Sequence, residues 1–282
     1  MRLLTHAEVS YSDPRSFNDP LDCDPTIEVD LDRSAMEHLC YAMLLRVHSE
    51  DQARAEINNY RYLSSEYGDF RTEPGVEDYL KRILAQRIKD ELEQEFGLRG
   101  VLSLSERWNS VLMWSHYADQ HRGVCIEFDT SEIEHPTLKP IDYRAPRRIR
   151  ASDLLKWKHE QSAAAEQLIF DTYFFAKAGA WRYEREWREV VLERGVSESG
   201  FRVTAIYFGL QCDPAIVLSV VKLLASDPDV KLYSIFSMDG SFRLSRRLID
   251  RQQIECYGLK IPAAIEFKDV FLNEIAVANT PE

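Results

Sequence analysis

The chain has 282 residues, with 35 Lys+Arg against 47 Asp+Glu and a formal charge of −12. Apolar content of 45% and charged content of 29% are those of a folded protein and argue against wholesale disorder. The acidic balance argues against holding nucleic acid or an anionic membrane by bulk electrostatics, and it leaves room for a local basic groove.

The opening residues, MRLLTHAEVSYSDP, lack the apolar run of a signal peptide. Ser12-Asp13-Pro14, Asn18-Asp19-Pro20 and Asp24-Pro25 then predict a constrained, irregular loop over 12–25. Helical spacing begins near Leu31 and runs through Met36, Leu39, Cys40, Met43 and Leu44. A second helix is predicted from Asp51 to Tyr62. A third, over 76–96, has Val76, Leu80, Leu84, Ile88 and Leu92 on one face, with Glu73-Pro74-Gly75 before it and Gly97 after it. An extended run, Val101 to Leu104, leads to a helix from Asn109 to about Gln120 and a strand over Val124–Phe128.

Leu138 to Tyr143 reads as a strand, followed by the basic run Arg144, Arg147, Arg148 and Arg150, which is either an anion site or a solvated loop. A buried helix is predicted over 160–180, then strands at Glu189–Glu193 and Phe201–Phe208. A helix follows from Pro214 to Ala225, with proline at its start. Lys231–Ser237 and Phe242–Ile249 read as a hairpin, and Ile261 to Phe271 as a last strand. The expected class is α+β, a helical first half packed on a mostly antiparallel sheet formed largely by the second half. No Gly-, Pro- or Ser-rich linker divides the chain, so residues 1–282 read as one domain.

The stretch Ala215–Ala225 is too short to span a bilayer. Five cysteines lie far apart without a CxxC pair, which argues against a zinc knuckle or a disulfide framework. Together these features predict a cytoplasmic protein with no membrane partner. There is no GxGxxG, Walker loop, HExxH or GxSxG, so dehydrogenase, P-loop, zincin and α/β-hydrolase mechanisms lack support.

Three segments carry candidate chemistry, and each also has a structural reading. In Ser16-Phe17-Asn18-Asp19-Pro20-Leu21-Asp22, Asn18 and Asp19 either face a ligand or satisfy their own loop backbone. In Trp114-Ser115-His116-Tyr117-Ala118, Trp114 and Tyr117 offer flat faces to a base, and His116 a donor to phosphate or ribose. The alternative there is an ordinary core-facing helix. In the set Lys177, Trp181, Tyr183, Glu184, Glu186, Trp187 and Arg188, the two glutamates point to one side of a strand start. They could act on an oxocarbenium-like sugar centre, or Glu186 and Arg188 could form a structural ion pair.

Taken together, FNDPLD, MWSHYADQHRGVCIEFD and the Lys177–Trp181–EREWR set resemble a large bacterial and phage family of unknown function, over roughly residues 12 to 210. Members of that family carry an N-terminal strand before the Asn-Asp-Pro turn, where this chain has only about ten residues before Tyr11. The resemblance implies a shared site without naming its reaction. By analogy of layout with ADP-ribosyltransferases, the leading expectation is an enzyme that handles NAD or a related nucleotide. In that reading Glu186, assisted by Glu184, acts on the ribose. Trp114 or Tyr117 stacks on the ring, His116 and Arg188 bind ribose or phosphate, and Asn18, Asp19, Lys177 and Trp181 complete the pocket. A second expectation is a defence or stress module that binds a nucleotide or partner without catalysis. A third is a metal-dependent nuclease using Asp19, Asp22, Glu127 and Asp129. The arginines near these motifs favour a small anionic ligand over a duplex.

Overall fold

The computed structural model describes residues 2–66, 74–131 and 138–251. Its elements are α+β, as the sequence predicts, but the strands form several small sheets of mixed orientation. They fall into two compact units. A helical unit takes in the described residues of Ser10–Glu106 and His135–Ser197, and a sheet unit those of Met1–Val9, Arg107–Glu134 and Glu198–Glu282.

The helical unit is built on five helices: Arg33–Leu44, Glu50–Ser65, Pro74–Phe96, Ala151–Glu160 and Ala163–Phe175. Local chemistry sets their ends. Asp32 accepts from the Ala35 N–H, and Ser49 and Gln52 form a reciprocal capping box. The helix expected over 160–180 is Ala163–Phe175, and Ala151–Glu160 before it is a separate helix that the sequence reading did not include. Gln161 turns left-handed (φ 54°), and Ser162 caps the second helix by accepting from the Ala165 N–H. Met36, Leu39, Leu80, Leu84, Ile88, Ile169 and Phe174 meet in one core. Against it lie an antiparallel sheet in the order Gly100–Ser105, Glu186–Val191, Lys139–Pro140, and a parallel pair of Thr26–Glu28 with Arg148–Arg150.

The sheet unit orders its strands Leu244–Leu248, Lys231–Ser237, Arg202–Phe208, Val124–Asp129. The first two form the expected hairpin. Arg202–Phe208 and Lys231–Ser237 pair in parallel, because helix Pro214–Leu223 carries the chain between them. That helix buries Val217, Val220 and Val221 with Ile206, Phe208 and Leu232. A second cluster holds Trp114, Ala205, Tyr207, Ile235 and Leu244. Alternation along the strand sends Ile206 and Tyr207 to opposite faces.

The helix expected over 109–120 is Val111–Tyr117 only. Asp119, Gln120 and His121 all take positive φ (44°, 53° and 69°), which ends it. The predicted strand at Ile261–Phe271 and the helix-start residue Glu73 lie outside the described residues. Among the described residues, no helix is long and apolar enough to cross a membrane.

Candidate functional site

The early loop and the EREWR segment meet in the helical unit. A turn over Pro14–Ser16, capped by Asp13, delivers the loop. Asp19 then does two things. One oxygen accepts from the Leu21 N–H at 2.9 Å, an Asx turn, and the other accepts from the indole Nε1–H of Trp181 at 2.7 Å. The backbone-satisfying reading of Asp19 therefore holds, and its second oxygen goes to a distant side chain of the same unit. Asn18 is exposed in the same loop. Asp22 and Cys23 turn inward, with Cys23 at φ 54°.

From the other side, Gly179–Glu184 forms a 3₁₀ helix that ends at a left-handed Arg185, and strand Glu186–Val191 follows. This strand is the centre of its sheet, not an edge, and Glu186, Arg188, Glu189 and Val190 are all buried. Glu186 and Arg188 point to the same side, as alternation requires. Arg188 is 1% exposed. It donates from Nε to Glu186 (2.6 Å), from both Nη atoms to Asp22 (2.9 and 2.6 Å), and from Nη1 to the Phe174 carbonyl (2.8 Å) and the Cys23 Sγ (3.3 Å). Lys177 Nζ bridges Glu184 (2.6 Å) and Glu186 (2.8 Å) and lies 3.4 Å from Asp22. The Glu186 N–H donates to the Tyr143 hydroxyl at 2.9 Å.

Three carboxylates thus enclose two cations, all buried. Removing such ions from water costs several kcal/mol each unless the geometry compensates. Here the two arginine forks and the lysine bridge supply that compensation. Burial pushes the Glu186 carboxyl up, but Arg188 and Lys177 outweigh it and hold the group below the usual range. Burial works against the charged form of Lys177, yet its carboxylate neighbours raise it above the usual lysine value. Burial drives the Cys23 thiol well up, so it stays protonated.

Asp22 and the adjacent Cys23 carry this network to the lining of a cleft of about 800 Å³, and Arg188, Glu186, Glu184 and Lys177 lie behind that lining. Phe17, whose ring lies 5.2 Å from the Arg188 guanidinium, and Asp19 line the cleft beside them, and Asp90, Glu93, Phe96 and Tyr173 form other walls. Six carboxylates and two arginines line the cleft. Both arginines, Arg15 and Arg194, are already held by Asp13.

The remaining sequence candidates lie in the sheet unit or on the surface. Trp114 is a core residue. Its Nε1–H donates to the Trp108 carbonyl at 2.5 Å, and its ring lies nearly parallel to His121 at 6.2 Å. His116 and Tyr117 are exposed, their rings 6.3 Å apart. The basic run is tied to acid: Arg147 to Asp24, and Arg148 and Arg150 to Glu28.

The four carboxylates of the nuclease reading each have partners already. Asp19 holds Trp181, Asp22 holds Arg188, Glu127 accepts from Tyr207 and Thr204, and Asp129 pairs with Arg202. No group of three or more His, Cys, Asp or Glu among the described residues is placed to hold a metal ion.

Sequence reasoning missed Asp22 as the pivot of the floor, and it missed Cys23, Tyr143 and the cleft wall of helix Pro74–Phe96. The adjacency of Asp22 to the Asn-Asp-Pro turn was the available signal.

No curated protein and no solved structure matches the chain. Residues 113–189 match the family described as "Protein of unknown function (DUF2971)"; the stretch includes WSHYA, GVCIEF and EREWR and begins after the Asn-Asp-Pro turn.

Proposed function

We propose that the helical unit is a small-molecule-binding module whose ligand enters the cleft above the Asp22–Arg188 floor. One observation carries this reading. The loop that lines the cleft is pinned from beneath, at Asp19 and Asp22, by Trp181 and Arg188, more than 160 residues further along the chain. Such a floor is a pre-formed support for a recognition loop. The lining carries an excess of carboxylates, so it suits a compact cation or a polar neutral molecule better than the anionic nucleotide expected from the sequence.

A second reading keeps NAD or a related nucleotide as substrate, with Glu186 acting on the ribose. It is favoured by the placement of Glu184 and Glu186 about Lys177 at a strand start. Both oxygens of Glu186 are committed to Arg188 and Lys177, and the residue is 5% exposed, so binding ranks ahead of this chemistry.

The test is a thermal-shift and calorimetric screen with amines, guanidines, neutral polar molecules and NAD. A cationic hit should weaken about tenfold in Asp90→Asn/Glu93→Gln, the size of a lost charge-assisted contact. Nicotinamide release by the wild type that disappears in a folded Glu186→Gln variant would instead establish the second reading.

A further inference from the structure

The hairpin of the sheet unit ends in a tip that the proposed ligand site does not use. Strands Lys231–Ser237 and Leu244–Leu248 pair from Tyr233↔Leu248 to Ser237↔Leu244. The turn beyond them is built, not loose. Met238 N–H donates to the Arg243 carbonyl (3.1 Å), Ser241 N–H to the Met238 carbonyl (3.0 Å), and Arg243 N–H to the Ser241 hydroxyl (3.1 Å). Gly240 takes the positive φ (66°) that such a turn needs.

This anchored backbone holds Phe242 at 96% exposure, with Met238 at 50% beside it and Phe236 at 38% just behind. A fully exposed phenylalanine on a fixed turn forgoes the burial that ordinarily stabilises it. Behind the apolar tip come Arg243, Arg246 and Arg247. None of the three has a carboxylate ion-pair partner among the described residues. Arg246 lies against the rings of Tyr207 and Tyr233, and Arg247 lies over Phe236 at 5.5 Å. Arg246 also donates to the Tyr207 hydroxyl, so Arg243 and Arg247 are the two that keep their charge available beside the apolar point, in a chain whose overall charge is −12.

We infer that this hairpin, contrary to the absence of a membrane partner expected from the sequence, is a docking element for an anionic lipid surface, with Phe242 and Met238 entering the acyl boundary and Arg243 and Arg247 at headgroup level. Apolar tip and basic collar are the two parts of an interfacial anchor, and each contributes separately to binding. A single-stranded nucleic acid would call for a groove that follows its backbone and for open ring faces. Here the most exposed groups stand at the end of a finger, and Tyr207 is fully buried.

The test uses the full chain in co-sedimentation with vesicles of phosphatidylcholine alone, or with 30% phosphatidylglycerol, beside a gel shift with a 30-nucleotide single strand. Binding is expected to the anionic vesicles, to fall with added salt, and to be weak on neutral ones. Phe242→Ser should lower the partition coefficient at least about tenfold. Arg243→Glu/Arg247→Glu should lower it about a hundredfold. Leu192→Ser, which changes a residue 73% exposed in the helical unit, should leave it unchanged. Unaltered circular dichroism would show that each variant is folded. No binding to anionic vesicles, binding indifferent to Phe242→Ser, or binding to the oligonucleotide alone would overturn the inference.

Discussion

Arg188 in the helical unit and Arg246 in the sheet unit each lie against aromatic rings, Arg188 5.2 Å from the Phe17 centroid and Arg246 4.5 Å from that of Tyr233. Their settings differ in water. Arg188 is sealed, and its guanidinium is divided among Asp22, Glu186 and a main-chain carbonyl. Arg246 is exposed and donates to the Tyr207 hydroxyl, which in turn donates to Glu127 at 2.5 Å. The same residue type therefore fixes chain geometry in one place and leaves charge at the surface in the other. Burial, not residue identity, decides which.

Breaking the two arginines is the strongest contrast. Arg188→Met should cost about 3–5 kcal/mol, because it takes the bidentate partner from buried Asp22 and leaves buried Glu186 with Lys177 alone. Arg246→Met should cost less than about 1 kcal/mol. Urea unfolding of the pair measures both, and equal costs would remove the distinction.

Trp181→Phe keeps the ring but deletes the donor to Asp19. A loss of about 1.5–3 kcal/mol is expected, the range for a hydrogen bond to a charged group. In the sheet unit, Gly209→Ala would place a Cβ 2.1 Å from the His121 carbonyl oxygen. Crowding of this kind costs about 1–3 kcal/mol, and a drop in Tm would report it.

Acid should sharpen the contrast further. The folded-state carboxyl of Glu186 is held below its ordinary value of 4.5. The stability it contributes is present above that value and is lost as pH falls through the depressed one. Unfolding free energy should fall steeply below about pH 4.5, and Glu186→Gln should flatten that limb. The smallest effects belong to the sheet unit's surface: His116→Ala and Tyr117→Ala should each stay within about 0.5 kcal/mol.

Much of the fold was legible because apolar periodicity and caps agree. The helices at 33–44 and 50–65 are marked that way, helix 74–96 by its apolar face and the Gly97 that follows it, and the hairpin at 231–248 by its turn residues. Helix Ala151–Glu160 was hidden by the arginine run before it and by the continuous apolar pattern after it. Its end rests on one left-handed residue, Gln161, which no composition rule flags. The parallel pairing of Ile27 with Ile149 joins residues more than a hundred positions apart, beyond the reach of any local pattern.

At the site, alternation correctly put Glu186 and Arg188 on one side of a strand. Sequence could not say that this strand is central or that the early loop covers it, with Asp22 on Arg188, which makes Glu186 and Arg188 a buried ion pair. Trp114 read as a stacking platform because its spacing does not reveal which face is covered. The Trp108 carbonyl that takes its indole N–H settles it as a core residue.

Two distant segments share one buried support, and a double-mutant cycle on Asp22→Asn and Arg188→Met reads their coupling. Strong non-additivity is expected, with a coupling of about 2 kcal/mol or more and a double variant little worse than Arg188→Met alone. Additive losses, within about 0.5 kcal/mol, would mean that the two residues stabilise the protein independently, and would contradict it.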